Sequence, residues 1–219
     1  MRRGLVLVEG QTEELFVKNV LQPYLWSRTS LWVIPTILVT KVVKSGANFK
    51  GGVRSYAQVH REVHKLLLDA DVAVITTLID YYALPGDFPG MSTRPLGTAR
   101  QRVDHVQNAL GAAIADPRFV PFFMLHEFEA LIFCDLGDQR AWVYQGGDIE
   151  QLRSVRRAVA SPEDINEGYD TAPSRRVLAA FPGYQKMFHG LVAVMDIGIE
   201  NMRVQCPHFH EWLLHLEAA

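Results

Sequence analysis

Residues 5–14 read LVLVEGQTEE, and this stretch decides the fold of the N-terminal half. The apolar run at 5–8 is continuous, as expected of a parallel strand that helices cover on both faces. The run stops at Glu9, and Thr12 can cap a helix whose acidic first turn suits the helix dipole. The stretch therefore predicts a strand followed by a helix that extends to about Leu25.

The pattern of strand and helix then repeats along the chain. The elements predicted after the first helix are strands at 32–39, 71–80 and 119–125 and helices at 56–67 and 103–114. Pro35 has no N–H to donate to a ladder, so the second strand is predicted to lie near an edge of the sheet. The order β-α-β-α-β-α-β predicts an α/β core with a four-stranded, mainly parallel sheet and flanking helices.

From His126 onward the apolar spacing is helical, and the sequence has no convincing strand pattern. We therefore divide the chain into an α/β core at 1–125 and a C-terminal helical appendage at 126–219 that packs on the core. An acidic loop, SPEDINEGYDTAPS, interrupts the predicted helices of the appendage.

Composition and charge narrow the class of protein. The chain has 219 residues, 48% hydrophobic and 21% charged, which excludes a disordered or fibrous protein. With 22 basic and 24 acidic residues it does not coat nucleic acid by bulk charge, so such a contact needs a local patch. The apolar runs are too short to span a membrane, and Glu9 interrupts the first one too early for a signal peptide. Cys134 and Cys206 lie far apart in sequence and suggest no disulfide framework, so we expect a cytoplasmic protein without a membrane partner.

Acidic side chains follow the predicted strand ends. Glu9 ends the first strand, Asp80 ends the third, and Glu13 lies one helical turn after Glu9. Ligands of parallel sheets bind beyond the carboxyl ends of the strands. Acids gathered there repel one another unless a cation lies between them, and carboxylate oxygens suit Mg²⁺ or Mn²⁺ in sites that act on phosphate esters. The alternative is that acids at strand ends are simply solvated.

The segment HEFEALIF supplies a further acid after the fourth strand. In a helix that starts here, Glu127 and Glu129 point about 200° apart, so only one of them can face Asp80. We favour Glu127 as the metal ligand because it is nearer the strand end, with Glu129 behind it, although Phe128 could anchor the turn and aim Glu129 inward. His126 is a candidate local acid or base, or a helix cap.

Basic residues are concentrated after the second strand. Five of them, with no acid in between, are Lys41, Lys44, Lys50, Arg54 and Arg61. Nearby glycines let the backbone approach phosphates, so Lys44, Lys50 and Arg54 are candidate contacts to a nucleic-acid backbone. A solvated loop is the alternative. Arg94 and Arg100 could clamp a phosphate with their planar guanidinium groups, or instead cap a helix or pair on the surface.

Two other motifs were considered as signs of function, and the sequence supports neither of them strongly. Cys206, His208 and His210 suggest a zinc site, but Pro207 and the helical pattern argue against a strand that would align them, and a fourth ligand is not obvious. No GxxxxGK[ST] or GxGxxG motif follows a strand, so nucleotide hydrolysis by a P-loop is not supported.

The acids at the strand ends resemble the Toprim domain of topoisomerases, bacterial primases and nucleases of the overcoming-lysogenization-defect type. The resemblance implies an acid/base or metal-binding role for Glu9 and Mg²⁺ binding by Asp80. In the nuclease branch a second acid often lies four residues after the first, and Glu13 matches it. The usual Asp-x-Asp motif is broken because Tyr82 stands where its second acid is expected. The residues considered as a replacement are Glu13, Asp87, Glu127 and Glu129.

Nearly the whole chain resembles an uncharacterised bacterial family of small Toprim-like proteins, often encoded beside AAA-type ATPases. The matching segments are VEGQTEELFV, IDYYALPGDFPG, LHEFEALIF, SPEDINEGYDTAPSRR, YQKMFHG and CPHFHEWL. The resemblance implies a Mg²⁺-dependent nuclease of bacterial defence or DNA maintenance, with nucleic acid as substrate and an AAA-type ATPase as partner. A homo-oligomer is left open. Tyr82 supports the alternative of a non-catalytic binding or regulatory subunit of an ATPase complex.

Overall fold

The computed structural model describes residues 1–38, 52–82, 84–137, 147–165, 168 and 170–219. Its strands are β1 (Arg2–Val8), β2 (Leu31–Ile37), β3 (Val72–Asp80), β4 (Phe119–Val120) and β5 (Phe123–Met124). All pairs are parallel, in the order β2-β1-β3-β4, and β5 also pairs with β3. The predicted α/β class with a mainly parallel sheet is therefore confirmed.

The second strand lies at an edge of the sheet, as Pro35 predicts. β2 ends the strand order and pairs with β1, where Pro35 is opposite Val6. An edge strand needs ladder N–H groups on one side only, so the missing N–H of proline is tolerated there.

The predicted fourth strand is divided into β4 and β5. Pro121 lies between them and has no N–H for a ladder with β3. The buried Thr77 hydroxyl instead accepts the Phe122 N–H at 2.8 Å and donates to the Phe122 carbonyl at 2.7 Å. The Thr76 hydroxyl donates to the Val120 carbonyl at 2.6 Å. These hydroxyls satisfy main-chain groups that would otherwise be buried without a partner.

Helices account for most of the remaining described chain. They are α1 (Gln11–Phe16), α2 (Gln22–Thr29), α3 (Tyr56–Leu67), α4 (Ala99–Ile114), α5 (Ile149–Arg157), α6 (Pro173–Ala180), α7 (Leu191–Gln205) and α8 (Pro207–Ala218). A π-helical turn, Val17–Leu21, joins α1 to α2, so the first helix extends to Thr29 rather than to Leu25. A 3₁₀-helix, Phe128–Cys134, replaces the helix predicted for HEFEALIF.

The helices cover both faces of the sheet. Val6 and Val8 pack with residues of α1, α2, α7 and α8, whereas Leu5 and Leu7 pack with residues of α3 and α4. Successive residues of a strand point to opposite faces, so these are two hydrophobic layers. The C-terminal helices α7 and α8 thus share one core with the sheet. Within the described ranges, no helix is long and apolar enough to cross a membrane.

The strand order creates a switch point between β1 and β3. From β1 the chain turns to one side to form β2 and then crosses to the other side to form β3. The carboxyl ends of β1 and β3 therefore lie side by side while their connections leave in opposite directions, which opens a crevice. Glu9 follows β1 directly and Asp80 ends β3, so the fold brings both acids to this crevice.

Candidate functional site

Glu9 and Asp80 are in direct contact at the switch point. The Asp80 N–H donates to Glu9 Oε2 at 3.2 Å, and the Phe128 N–H donates to Asp80 Oδ1 at 2.9 Å. Main-chain groups therefore hold both carboxylates in place. The structure brings together the two acids that end separate strands in the sequence.

The ammonium group of Lys186 contacts three acidic side chains. Its Nζ is 3.2 Å from Glu129 Oε2, 3.3 Å from Glu13 Oε1 and 3.7 Å from Asp80 Oδ2. Glu129 is 2% exposed and Glu13 is 5% exposed, so water screens these contacts little. We term the following residues the carboxylate cluster: Glu9, Glu13, Asp80, Glu129 and Lys186.

Local backbone geometry decides which acid of HEFEALIF enters the cluster. Glu127 is extended (φ −149°, ψ 157°), and the 3₁₀-helix begins at the buried Phe128. Glu129 then reaches the ammonium, whereas Glu127 Oε2 accepts the Ser174 N–H at 3.0 Å and caps α6. The positions are the reverse of those we expected, because Phe128 anchors the turn and aims Glu129 inward. A metal-binding role for Glu127 stays a prediction.

The cluster holds more acids than its one ammonium can neutralise. Burial raises the pKa of Asp80 well above its ordinary value, and although Lys186 opposes this, repulsion from Glu9 and Glu13 adds to it. Burial also raises the pKa of Glu129 and of Glu9. Burial alone lowers the pKa of Lys186, but the surrounding carboxylates outweigh it and raise this pKa well above its ordinary value. The ammonium therefore stays charged, but its single positive charge cannot offset all the carboxylates around it if they are ionised.

A tyrosine hydroxyl borders the cluster. The Tyr184 hydroxyl is shielded from solvent and has no hydrogen-bond partner in the part of the chain that the structure describes. Burial raises the pKa of this phenol, and Glu129, Glu127 and Glu13 raise it further, so it keeps its proton. A Cβ on Gly190 would lie 2.6 Å from the Tyr184 oxygen, so a larger residue at position 190 would displace the phenol. The phenol is a donor available to a ligand or water.

The turn from β5 into the cluster is strained at His126. This residue is 5% exposed and has a positive φ of 65°, and its carbonyl accepts the Tyr82 N–H at 3.0 Å. Strain at a non-glycine residue often accompanies a functional site. Tyr82 itself is 40% exposed, whereas Glu13 and Glu129 contact the same ammonium group as Asp80.

The donor chemistry of the cluster fits a divalent cation. Its carboxylate oxygens are the ligands that Mg²⁺ and Mn²⁺ prefer, and the Tyr184 hydroxyl can donate to a neighbouring water or phosphate oxygen. Metal–oxygen distances would be about 2.1 Å, whereas the oxygens now lie 3.2–3.7 Å from Nζ. Among the described residues, no three His, Cys, Asp or Glu side chains are already arranged to hold a metal. Cation binding therefore requires the ammonium to leave and the carboxylates to close in.

Several other candidate residues have different partners. Both oxygens of Asp87 accept the Tyr56 N–H, at 3.0 and 3.1 Å, and Asp87 thus helps to cap α3. Arg94 donates to the Met91 carbonyl at 2.9 Å and to the Tyr81 hydroxyl at 3.2 Å. Neither residue therefore contacts the carboxylate cluster through these bonds.

Arg100 lies at a cavity away from the carboxylate cluster. It pairs with Asp104 at 2.7 Å and with Glu211, and together with Trp212 these residues line a cavity of about 490 Å³. The cavity is lined by no residue of the carboxylate cluster. A phosphate clamp formed by Arg94 and Arg100 together has no support in these contacts.

The basic loop lies largely outside the described residues, and this applies to Lys41, Lys44 and Lys50. Arg54 is described and lies just before α3, where its N–H donates to Gln58 at 3.0 Å.

The side chains of the Cys-Pro-His-Phe-His motif have separate partners. Cys206 Sγ lies 3.4 Å from Cys134 Sγ, and His208 Nε2 lies 3.0 Å from the Phe123 carbonyl. His210 Nδ1 accepts a hydrogen bond from an arginine of α7 at 3.1 Å. These contacts give no support to a zinc site, and they make the two cysteines, distant in sequence, close neighbours in space.

Sequence reasoning missed Lys186 and Tyr184. Both lie in YQKMFHG, where neither residue has a local pattern that marks it as functional. Their role depends on contacts with strands and turns far earlier in the chain. The available signal was the excess of acids expected at one sheet edge, which calls for a cation from elsewhere in the protein.

Comparison with known proteins places the chain in a family. Searches of curated proteins and of solved structures found no match. One protein-family model matches residues 8–217, a span that includes strands β2 to β5, the carboxylate cluster, α7 and almost all of α8. Because this match covers far more than half of the sequence, the chain belongs to the family described as Domain of unknown function (DUF4276).

Proposed function

We propose that this protein is a Mg²⁺- or Mn²⁺-dependent phosphodiesterase that cleaves nucleic acid, with a Toprim-like core. The observation that carries the proposal is the convergence of carboxylates from Glu13, Asp80 and Glu129 on one point at the switch point of the sheet. Three separate elements deliver these oxygens, and Glu9 adds a fourth acid beside Asp80. Such a position is where parallel sheets bind their ligands.

Charge supports a dication at this point. Three acids contact Lys186 and Glu9 lies beside Asp80, so the single charge of Lys186 cannot neutralise all four if they are ionised. Buried carboxylates without enough positive charge are costly. A cation with two charges and a preference for oxygen ligands would offset this cost better than one ammonium does.

Each acid has a proposed role. Asp80, Glu13 and Glu129 would hold the cation, which when bound supplies positive charge to the phosphate as negative charge builds up on it. Glu9 would accept a proton from the attacking water while the water oxygen bonds to phosphorus and the ester oxygen leaves, taking a proton from solvent. The Tyr184 hydroxyl would donate to a phosphate oxygen.

A nucleic-acid substrate is supported by the basic segment between β2 and α3. Helices that connect parallel strands start at the edge where the strands end, so Arg54, just before α3, lies on the side of the cluster. Lys44 and Lys50 stay predicted contacts. The resemblance described above adds the proposal of an AAA-type ATPase partner, in bacterial defence or DNA maintenance in the cytoplasm.

The test is cleavage of plasmid, single-stranded DNA and RNA in MgCl₂, MnCl₂ or EDTA. We expect wild type to cleave at least one of them only with metal, and Asp80→Asn and Glu129→Gln to lose roughly 100-fold or more, as expected for damage to a metal site. Glu14→Gln is the matched control, because Glu14 neighbours the cluster in sequence but pairs with Lys18 at 2.6 Å. Equal cleavage by Asp80→Asn and wild type would show that the site is wrong.

A non-catalytic binding or regulatory subunit of an ATPase complex is the second candidate. The position of Lys186 favours it, because an ammonium that permanently replaces a metal would make the cluster a structural ion-pair network. Tyr82 in place of an acid agrees with this alternative. It predicts no saturable Mn²⁺ binding and no cleavage, with an effect only on the activity of the partner.

A further inference from the structure

We propose that Lys186 is the resting counter-ion of the carboxylate cluster and that a divalent cation binds only as the ammonium leaves. This inference rests on the proposed function, since it concerns the cation of that site. It gives Lys186 the role of a counter-ion that offsets part of the negative charge of the acids before metal arrives.

The ammonium occupies the place that a cation would take. Oxygens of Glu13, Asp80 and Glu129 surround Nζ at 3.2–3.7 Å. A dication held by the same three oxygens would lie about 2.1 Å from each of them and therefore in the same space. Two cations at this spacing repel strongly in a poorly solvated site, so the cluster holds one or the other.

Lys186 can leave while the rest of the fold stays in place. Its side chain is 36% exposed, against 2% for Glu129, so part of this side chain already lies at the surface although its ammonium is surrounded by carboxylates. The four-carbon stem of lysine is flexible. Lys186 also begins a π-helical turn, Lys186–Gly190, in which Met187 and Phe188 are exposed, and such turns are frequent at functional sites.

The central acids have anchors that do not depend on Lys186. The Phe128 N–H holds Asp80 Oδ1, and the Asp80 N–H holds Glu9 Oε2. These bonds involve main-chain donors of the 3₁₀-helix and of β3, which persist when the ammonium leaves. An incoming cation would therefore find Asp80 and Glu9 already in place, which lowers part of the ordering cost of binding, while Glu13 and Glu129 would move toward it.

The test compares Mn²⁺ binding by wild type and Lys186→Met, which keeps an apolar stem and removes the charge. In calorimetric titrations with MnCl₂ we expect the variant to bind at least about tenfold more tightly, because no charge-assisted contact has to be broken first. MnCl₂ should also raise the melting temperature of the variant more than that of wild type. Lys18→Met is the matched control and should match wild type, since Lys18 pairs with Glu14 on the surface.

The outcomes separate this inference from the proposed function. Equal affinity in wild type and Lys186→Met, or weaker binding by the variant, would overturn the inference and leave the metal site standing. Absence of Mn²⁺ binding in both proteins would instead overturn the proposed function.

Two further measurements guard against a folding defect. If Lys186→Met is unfolded without metal, MnCl₂ should restore its circular dichroism spectrum, and failure to do so counts against the inference. Lys186→Arg keeps the positive charge and should bind Mn²⁺ no more tightly than wild type, whereas tighter binding would contradict the inference.

Discussion

Two buried groups, one in the first turn of α8 and one hydrogen-bonded to that turn, are expected to make stability depend on pH in opposite directions. Glu163 is 4% exposed and accepts the N–H groups of His208 and Phe209 at 2.9 Å each. Burial raises the pKa of Glu163 to about 7 in spite of these bonds. The His208 ring stacks 4.9 Å from that of Phe122, and burial lowers the pKa of His208 to about 4. Both groups are therefore neutral in the folded protein at mildly acidic pH.

The sign of each contribution follows from where the protons are bound. For Glu163 the folded pKa lies above the ordinary value of 4.5, so the folded state binds more protons between pH 4.5 and about 7. Its contribution to stability is full below pH 4.5 and is lost as the pH rises through about 7, a change of about 3 kcal/mol. For His208 the unfolded state binds more protons between about pH 4 and 6.5. Its contribution, also about 3 kcal/mol, is present above pH 6.5 and lost as the pH falls through about 4.

Glu163→Gln removes the pH-dependent contribution of Glu163 to stability and leaves that of His208. Relative to wild type, the free energy of unfolding of the variant should rise by about 3 kcal/mol as the pH rises from 4.5 to 7. Urea denaturation followed by circular dichroism at several pH values measures this difference. Glu200→Gln is the control, because the exposed Glu200 pairs with Arg28 on the surface. If the free energies of unfolding of Glu163→Gln and wild type change with pH in the same way, Glu163 is not a buried, neutral group in the folded protein.

Three more predictions concern single contacts. Glu127→Ala should lower the free energy of unfolding by about 1 kcal/mol, because it removes the carboxylate cap of α6; an unchanged urea midpoint would contradict the cap. Thr77→Val should cost about 2 kcal/mol, because it leaves a buried main-chain N–H without its partner; a variant as stable as wild type in urea would show that the hydroxyl is dispensable. Diamide should join Cys134 and Cys206, whose sulfurs are 3.4 Å apart, in a disulfide seen as the loss of two hydrogen atoms in the intact mass. Cys134→Ser should abolish this change, and two free thiols after oxidation would contradict the geometry.

The order of strands and helices could be predicted because each element has its own local signal. A continuous apolar run identifies β1, a concentration of β-branched residues identifies β3, and Pro35 identifies the edge strand. The position of Glu9 and Asp80 at one crevice then follows from parallel topology alone. These features depend on residues that are adjacent in sequence.

The parts that sequence did not predict depend on distant contacts. Lys186 lies in a helical segment, and only the packed structure brings its ammonium to acids from the sheet. The choice between Glu127 and Glu129 depended on an assumed α-helix, whereas Phe128 anchors a 3₁₀-helix after an extended Glu127. The division of the fourth strand depended on the Thr77 hydroxyl, which replaces a ladder partner across the sheet.

The central claim is that the carboxylates at the switch point bind a divalent cation. The most direct test is calorimetric titration of wild type and Asp80→Asn with MnCl₂, with circular dichroism to show that both are folded. The structure predicts saturable binding by wild type and its loss in Asp80→Asn, because Asp80 joins Glu9 on one side to the Lys186 position on the other. Binding of equal affinity by Asp80→Asn, or no binding by folded wild type, would contradict the claim.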